Sequence, residues 1–141
     1  MKKTKFKVYD YDTNTMYTQD DLIITFDSVG EDVYVYRNGS VEPLYRYELL
    51  QYIGSNDTFD NEIYEGDIIK RTDLTPTARF YGKEEIGVVK YENAQFVLKI
   101  SEHDYYEISH DGTFHINMSD YEVMGNIYET SEILQSNNIE N

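Results

Sequence analysis

The chain has 141 residues, no cysteine, and 27 acidic against 12 basic residues, which gives a formal net charge of −15. The length indicates one domain, the missing cysteines exclude disulfides, thiolate zinc sites and a cysteine nucleophile, and the charge disfavours binding to a phosphate backbone. No apolar run approaches the ~18 residues that a membrane helix needs, so we expect a soluble cytoplasmic protein without membrane contact.

The first part of the chain is dominated by tyrosine, valine and isoleucine residues that alternate between turn residues, a pattern typical of antiparallel β-strands. The predicted strands here are FKVYDY (6–11), LIITFD (22–27), VYVYR (33–37) and YELLQYI (47–53). The first strand ends in the turn residues DTNT. Asn38-Gly39 follows the third strand, and this pair predicts a hairpin because both residues tolerate positive φ.

The second part continues the β pattern and ends in a short helix. Its predicted strands are DIIKR (67–71), EIGVVKY (85–91), QFVLKIS (95–101), YYEIS (105–109), TFHIN (113–117) and YEVMGNI (121–127). Turns are expected at Glu92-Asn93-Ala94 and at Asp111-Gly112, and residues 73–83, with Pro76 and Gly82, are interpreted as a mobile surface loop. Thr130 is predicted to cap a helix over SEILQ (131–135), with Glu132 in its first turn, before a frayed tail.

The strand end VYDYDTNT is the first candidate for chemistry. Asp10 and Asp12 match the Asp-x-Asp pattern of aspartate-nucleophile phosphatases, but Asn14 stands where that chemistry needs threonine or valine. Asp10, Asp12, Asn14 and Asp21 also fall at positions of a calcium-binding loop, yet Thr15 replaces its glycine. A hairpin turn whose side chains bond backbone amides accounts for the same residues, and this is our interpretation.

The histidines are the second candidate. His103, His110 and His115 are the chain's three histidines, and carboxylates surround them. Their spacing does not aim two imidazoles at one point, although a transition-metal site in this region is one hypothesis. Solvated hairpin histidines are the interpretation we prefer, and we assign no catalytic, cofactor-binding or metal-binding residue and no cofactor.

The stretch NEIYEGDIIK (61–70) is the third candidate, because three carboxylates lie within six residues. Glu65-Gly66-Asp67 is predicted to form a tight turn in which Gly66 adopts positive φ and Asp67 bonds backbone amides. Carboxylates on a turn are normally solvated. Glu62, Glu65 and Asp67 are therefore expected to be structural rather than catalytic.

The same stretch carries a resemblance to a known family. QYIGSNDTFDNEIYEGDIIK (51–70) resembles the signature of the YopX family of phage and prophage proteins, and two further blocks agree in order and spacing. These are GVVKYENAQFVL (87–98), similar to the family's central hairpin, and YEVMGNIYETSEIL (121–134), similar to its closing strand and helix. FKVYDYDTNTM (6–16) is similar to its opening strand and turn, with Tyr9 where tryptophan is expected.

The resemblance implies a mainly β fold of antiparallel strands, with an SH3-like barrel in the C-terminal part and one short C-terminal helix. It implies a single domain over residues 1–141. In that domain 1–46 form the N-terminal strands and hairpin, 47–135 form the barrel and helix, and 136–141 fray. It also implies a phage or prophage origin in Gram-positive bacteria, and it transfers no activity and no catalytic residue.

The leading functional hypothesis is a non-enzymatic accessory protein that binds a phage or host protein through a sheet edge or a tyrosine-rich face. The alternative is an acidic mimic of nucleic acid that occupies a host DNA-binding protein. The third is a metal-dependent enzyme that uses the region of His103, His110 and His115. Self-association is also expected, because residues 33–36 present an apolar or aromatic face in either orientation of the strand.

Overall fold

The computed structural model describes residues 5–18, 23–26, 33–37, 40–42, 47–74, 81–108 and 119–136. In these ranges the chain forms antiparallel sheets, including a curled half-barrel sheet, and one short C-terminal helix, which confirms the predicted mainly β class. The SH3-like form of the barrel stays a prediction. The strands are β1 (Phe6–Asp10), β2 (Thr15–Thr18), β3 (Ile23–Phe26), β4 (Val33–Arg37), β5 (Ser40–Glu42), β6 (Tyr47–Asn56), β7 (Glu62–Tyr64), β8 (Asp67–Asp73), β9 (Glu84–Glu92), β10 (Gln95–Lys99), β11 (Tyr105–Glu107) and β12 (Ser119–Asn126), and the helix is α1 (Glu132–Ser136). No helix in the described part of the chain combines the length and apolarity needed to cross a membrane.

The chain divides into two compact units, Thr4–Gln51 and Tyr52–Asn141, the second of which also includes Met1–Lys3. In the first unit β1 pairs with β2 and with the start of β6, and Val8 faces Tyr17 on one side and Leu49 on the other. Val8 and Tyr47 are buried there and form the core of these strands with Tyr17 and Leu49. The same unit contains a three-stranded sheet in which β4 lies between β3 and β5.

The second unit is built on a five-stranded sheet in the order β11-β10-β9-β8-β12. Successive side chains of a strand point to opposite faces, so the apolar pair Ile68-Ile69 of β8 supplies two cores. Ile69 belongs to a core with Ile53, Ile63, Val89, Leu98, Ile108 and Tyr121. Ile68 packs instead with Val88 and with Leu134 of α1. The helix is thus fixed by one fully buried leucine on one side of the sheet.

The predicted helix lies close to its expected position, but the hydroxyl of Thr130 has another use. The helix begins at Glu132, whose carboxylate lies in the first turn as predicted. Thr130 Oγ1 accepts a hydrogen bond from the Asn126 N–H (2.9 Å) and donates one to the Asn126 carbonyl oxygen (3.0 Å). The Thr130 side chain therefore ties the helix approach to the end of β12, whereas we expected it to act as an N-cap.

Several predicted features lie partly or wholly outside the described residues. Arg37 pairs with Ser40, as a two-residue hairpin requires. Asp73 and Gly82 are joined by a backbone hydrogen bond of 2.6 Å that closes the connection between β8 and β9. The features outside the described ranges are the Asn38-Gly39 turn, residues 75–80 with Pro76, the segment TFHIN with its Asp111-Gly112 turn, and the tail after Ser136.

The turn between β9 and β10 has a conformation that favours glycine but contains none. Gln95 pairs with Glu92, so Asn93 and Ala94 alone form the connection, with φ of 52° and 63°. Two positive φ values are typical of the type I′ turn that suits a two-residue hairpin. Asparagine tolerates the left-handed region of φ and ψ, whereas an alanine in this conformation costs roughly 1–2 kcal/mol.

Ala94→Gly is therefore expected to raise the free energy of unfolding by about 0.5–1 kcal/mol, because relief of the left-handed alanine exceeds the entropy that glycine adds to the unfolded chain. Urea denaturation of parent and variant measures the difference. Asn93→Gly is the control and should give a smaller gain. A variant Ala94→Gly less stable than the parent would contradict the assignment of a strained turn.

Candidate functional site

The three carboxylates of the NEIYEGDIIK stretch lie in and around the turn between β7 and β8, with Glu62 at the start of β7 and Asp67 at the start of β8. Gly66 has φ of 84°, as predicted, so the turn needs a residue without a Cβ. The buried Asp67 bonds a backbone amide, but this amide comes before the turn and not after it as expected: Tyr64 N–H donates to Asp67 Oδ2 at 2.8 Å. Glu62 accepts a hydrogen bond from the Tyr64 hydroxyl (3.2 Å).

The peptide groups of Gly66 connect this turn to two other segments. Its N–H donates to the Val89 carbonyl oxygen (2.8 Å), and its own carbonyl oxygen accepts from the Ile127 N–H (2.9 Å). A Cβ at this position would approach the Tyr128 ring to 2.8 Å. The close approach of Gly66 to these segments thus depends on glycine.

The Tyr64 hydroxyl shares this region with the carboxylates. Burial raises the pKa of Tyr64 to about 12, and the adjacent charge of Glu62 adds to the shift. The phenol therefore stays protonated near neutral pH and acts here as a hydrogen-bond donor to Glu62.

Asp57, which the sequence analysis did not single out, organises the loop between β6 and β7. Its Oδ1 accepts the N–H groups of Phe59 (2.9 Å) and Asn61 (2.8 Å). Its Oδ2 accepts Val123 N–H (2.8 Å) and Asn61 Nδ2 (3.1 Å). Burial raises the pKa of Asp57, but these hydrogen bonds outweigh burial and hold it below its usual range.

The same loop covers part of the outer edge of β12. Thr58 N–H donates to the Tyr121 carbonyl oxygen (2.8 Å), and Thr58 Oγ1 accepts from Tyr121 N–H (2.9 Å). Together with the bond from Val123 N–H to Asp57, three backbone groups of β12 are satisfied by the loop instead of by another strand. Strand edges are commonly protected in this way against unwanted pairing.

A buried arginine, Arg71, lies on β8. Arg71 is only 3% exposed, and its guanidinium carbon lies 4.3 Å from the centre of the Tyr106 ring. Arg71 Nη1 lies 3.4 Å from Glu85 Oε1, which also accepts the Tyr106 hydroxyl at 2.6 Å. Burial raises the pKa of Tyr106 to about 12, and the hydrogen bond to Glu85 adds to the shift. The charges of Arg71 and Glu85 thus balance each other in a partly buried cluster.

The Asp10 region is a hairpin turn, as we interpreted it. Asp10 is fully buried, and its Oδ1 accepts the Asp12 N–H at 2.9 Å. Asn14 has φ of 52°, and its Oδ1 accepts the Tyr9 hydroxyl at 3.1 Å. Asp10 and Asn14 thus use their oxygens to hold the β1–β2 turn. Asp21 lies outside the described residues.

The histidine region is described only in part. His103 is exposed in a bend before β11, while His110 and His115 lie outside the described residues. Among the described side chains, no three histidine, aspartate or glutamate residues lie close enough together to hold a metal ion. The metal hypothesis for the three histidines therefore stays untested.

The family model described as YopX protein matches residues 5–135. The crystal structure of YopX from Bacillus subtilis is similar, with 19% identity and a TM-score of 0.61 over 92% of this chain and 97% of that chain. The crystal structure of EF1440 from Enterococcus faecalis has 19% identity and a TM-score of 0.60 over 95% and 99%. The comparison with curated proteins finds no match. Since the family match spans nearly all of its residues, the chain belongs to the YopX family.

Proposed function

We propose that this protein is a phage or prophage accessory protein that binds another protein in the cytoplasm of its bacterial host and carries out no catalysis. The observation that carries the proposal is the exposure of large aromatic side chains. Among the described residues, four are more than half exposed: Phe59 (65%), Tyr81 (61%), Tyr91 (55%) and Tyr105 (52%). We call these residues the exposed aromatics.

Aromatic residues are enriched at protein interfaces because they bury a large area at a small cost in side-chain entropy. Tyr91 and Tyr105 stand on strands whose backbones are fixed by pairing, and the Tyr91 ring packs edge-on against Phe96 with 5.0 Å between centroids. The Tyr91 ring is thus held in place before a partner arrives. Such preorganisation lowers the cost of binding.

Binding through the outer edge of β12 receives less support than binding through aromatic side chains. The loop from Asp57 to Asn61 already satisfies the N–H groups of Tyr121 and Val123, so a partner strand would have to displace it. A partner that packs on the exposed aromatics meets no such competitor.

The net charge of −15 favours a second candidate function, the imitation of nucleic acid toward a basic host protein. The two candidates differ in what the partner normally binds. If the chain is a mimic, its partner is a DNA- or RNA-binding protein. The nucleic acid that this partner normally binds then competes with the chain for the same surface of the partner.

Affinity purification from the lysate of a Gram-positive host tests the proposal. We expect the tagged protein to retain one host or phage protein at roughly equal molar amount. A variant with all four exposed aromatics changed to serine should retain at least about tenfold less of it, since aromatic anchors carry most interface energy. The far-UV spectrum of the variant must match that of the parent.

Recovery of the same partner by the serine variant would contradict the proposal. If the partner binds nucleic acid, and if added DNA displaces it equally from the parent protein and from the serine variant, the result would favour the mimic. Light scattering on the purified protein measures the expected self-association separately.

A further inference from the structure

We infer that Phe59 is the anchor of the protein-binding surface and that it inserts into an apolar pocket rimmed by lysine or arginine on a partner protein. This inference rests on the proposed function and names the contact that recognises the partner. It is drawn from the fixed conformation of the loop from Asp57 to Asn61, the exposure of the Phe59 ring and the charges beside it.

The loop is held in one conformation by hydrogen bonds on both sides of Phe59. The Asp57 carboxylate accepts the N–H groups of Phe59 and Asn61, and the Asp57 N–H donates to the Asn61 carbonyl oxygen at 2.8 Å. Asn56 Nδ2 donates to Asp60 Oδ1, also at 2.8 Å. Thr58 fastens the loop to β12 through two bonds to Tyr121. The backbone that carries Phe59 is therefore ordered before any binding event.

This ordered loop also contains a residue, Asp60, whose backbone conformation costs free energy. Asp60 has φ of 68°, a left-handed conformation that costs a non-glycine residue on the order of 1 kcal/mol. The surrounding hydrogen bonds offset this cost, and the resulting turn holds Phe59 outward. A loop that only joined β6 to β7 would gain nothing from presenting a phenyl ring to water.

Phe59 differs from the other exposed aromatics in its chemistry. At 65% it is the most exposed of them, and its side chain, unlike theirs, has no hydroxyl to interact with water. Single exposed apolar residues are ordinary on protein surfaces. An apolar ring on a loop fixed by a buried carboxylate is a stronger observation, because a rigid anchor binds with little loss of entropy.

The charges in and next to the loop indicate the chemistry of the partner. Asp60 is exposed next to Phe59 in the chain, Glu62 is half-buried at the start of β7, and Asp120 is exposed and precedes Tyr121, whose backbone bonds the loop. Carboxylates at these positions attract a basic surface and repel an acidic one. A second copy of this chain, with its net charge of −15, is disfavoured by the same argument.

Photo-crosslinking tests the inference in host cells. The chain is produced with p-benzoylphenylalanine at position 59, and in a matched control at position 11, where Tyr11 is also exposed and next to carboxylates but is not one of the exposed aromatics. Both sites are exposed, so both replacements should change stability by no more than about 0.5 kcal/mol. We expect one dominant adduct at position 59, attached to a partner segment that contains apolar residues and lysine or arginine.

A competition experiment in lysate of the same cells, with purified protein added before crosslinking, completes the test. Excess parent protein should suppress the adduct, whereas Phe59→Ser should need at least about tenfold more protein to do so. Equal competition by Phe59→Ser, or the same adducts from positions 59 and 11, would overturn the inference and leave the proposed function standing. An adduct to a second copy of this chain or to an acidic, polar segment would overturn it too. If the unmodified protein retains no partner from lysate, both the inference about Phe59 and the proposed function are wrong.

Discussion

Asp57→Asn is expected to lower the free energy of unfolding by about 3 kcal/mol, although it changes one atom of one side chain. Each carboxylate oxygen of Asp57 accepts two N–H groups. An amide offers one oxygen and one NH2 group. In either orientation of the amide, two of the four N–H groups would therefore face the NH2 group instead of an acceptor. Hydrogen bonds to a charged group contribute roughly 1.5–3 kcal/mol each, and a buried N–H left without a partner adds its desolvation cost.

The loss should depend on pH in a defined direction. The pKa of Asp57 is lower in the folded protein than in the unfolded chain, where it is about 3.9, so the unfolded state binds more protons as pH falls past 4. The stability that the carboxylate contributes is fully present above that pH and is lost as pH falls through the folded pKa. The difference between parent and Asp57→Asn should therefore be constant near pH 7 and shrink below about pH 4.

Urea denaturation at pH 7 and at pH 3 measures both effects. Asp60→Asn is the matched control, because it removes a carboxylate from the same loop but from an exposed position. It should stay within about 0.5 kcal/mol of the parent at both pH values. Equal losses in the two variants would show that charge alone, and not the four hydrogen bonds of Asp57, stabilises the loop.

Most strands were predictable from the sequence because they carry their own signal, whereas β2, β5 and β7, with 4, 3 and 3 residues, are too short to carry one and were not predicted. Alternating apolar residues and turn residues identify β1, β4 and β9 without any knowledge of their partners. The C-terminal helix was predictable for the same reason, since the signal lies within a few residues.

The role of Asp57 was not predictable, because it depends on a residue far along the chain. Asp57 stands in an Asp/Asn-rich loop where any carboxylate could bond a nearby amide. Its bond to Val123 spans 66 positions, and no periodicity reports such a contact. Arg71 was hidden similarly: within DIIKR it reads as a surface charge, and only the pairing with Tyr121 and Glu85 reveals its burial.

The helix cap shows how local reasoning can select the wrong bond. Threonine before a helix is a common N-cap. Here the chain turns sharply between Asn126 and Thr130, which brings the hydroxyl within reach of the Asn126 peptide groups instead. The sequence identified the right residue, and the tertiary turn decided its partner.

Gly66→Val is expected to lower the free energy of unfolding by about 3 kcal/mol, the second large effect. A β-branched residue at φ of 84° is strained, and its Cβ would also press against the Tyr128 ring at 2.8 Å. Any backbone shift that relieves this contact lengthens the bonds to Val89 and Ile127. Urea denaturation of the purified variant gives the value.

The carboxylates beside Gly66 provide the comparison that decides between a structural and a catalytic turn. Glu65→Gln should stay within about 0.5 kcal/mol of the parent. Asp67→Asn should be intermediate, because asparagine keeps an acceptor for the Tyr64 N–H but loses the charge. A catalytic cluster reverses this order, since active-site carboxylates are held close together at the expense of stability and their removal relieves repulsion. If Gly66→Val unfolds at the same urea concentration as the parent while Glu65→Gln gains stability, the structural interpretation is wrong and these three carboxylates bind or convert a ligand.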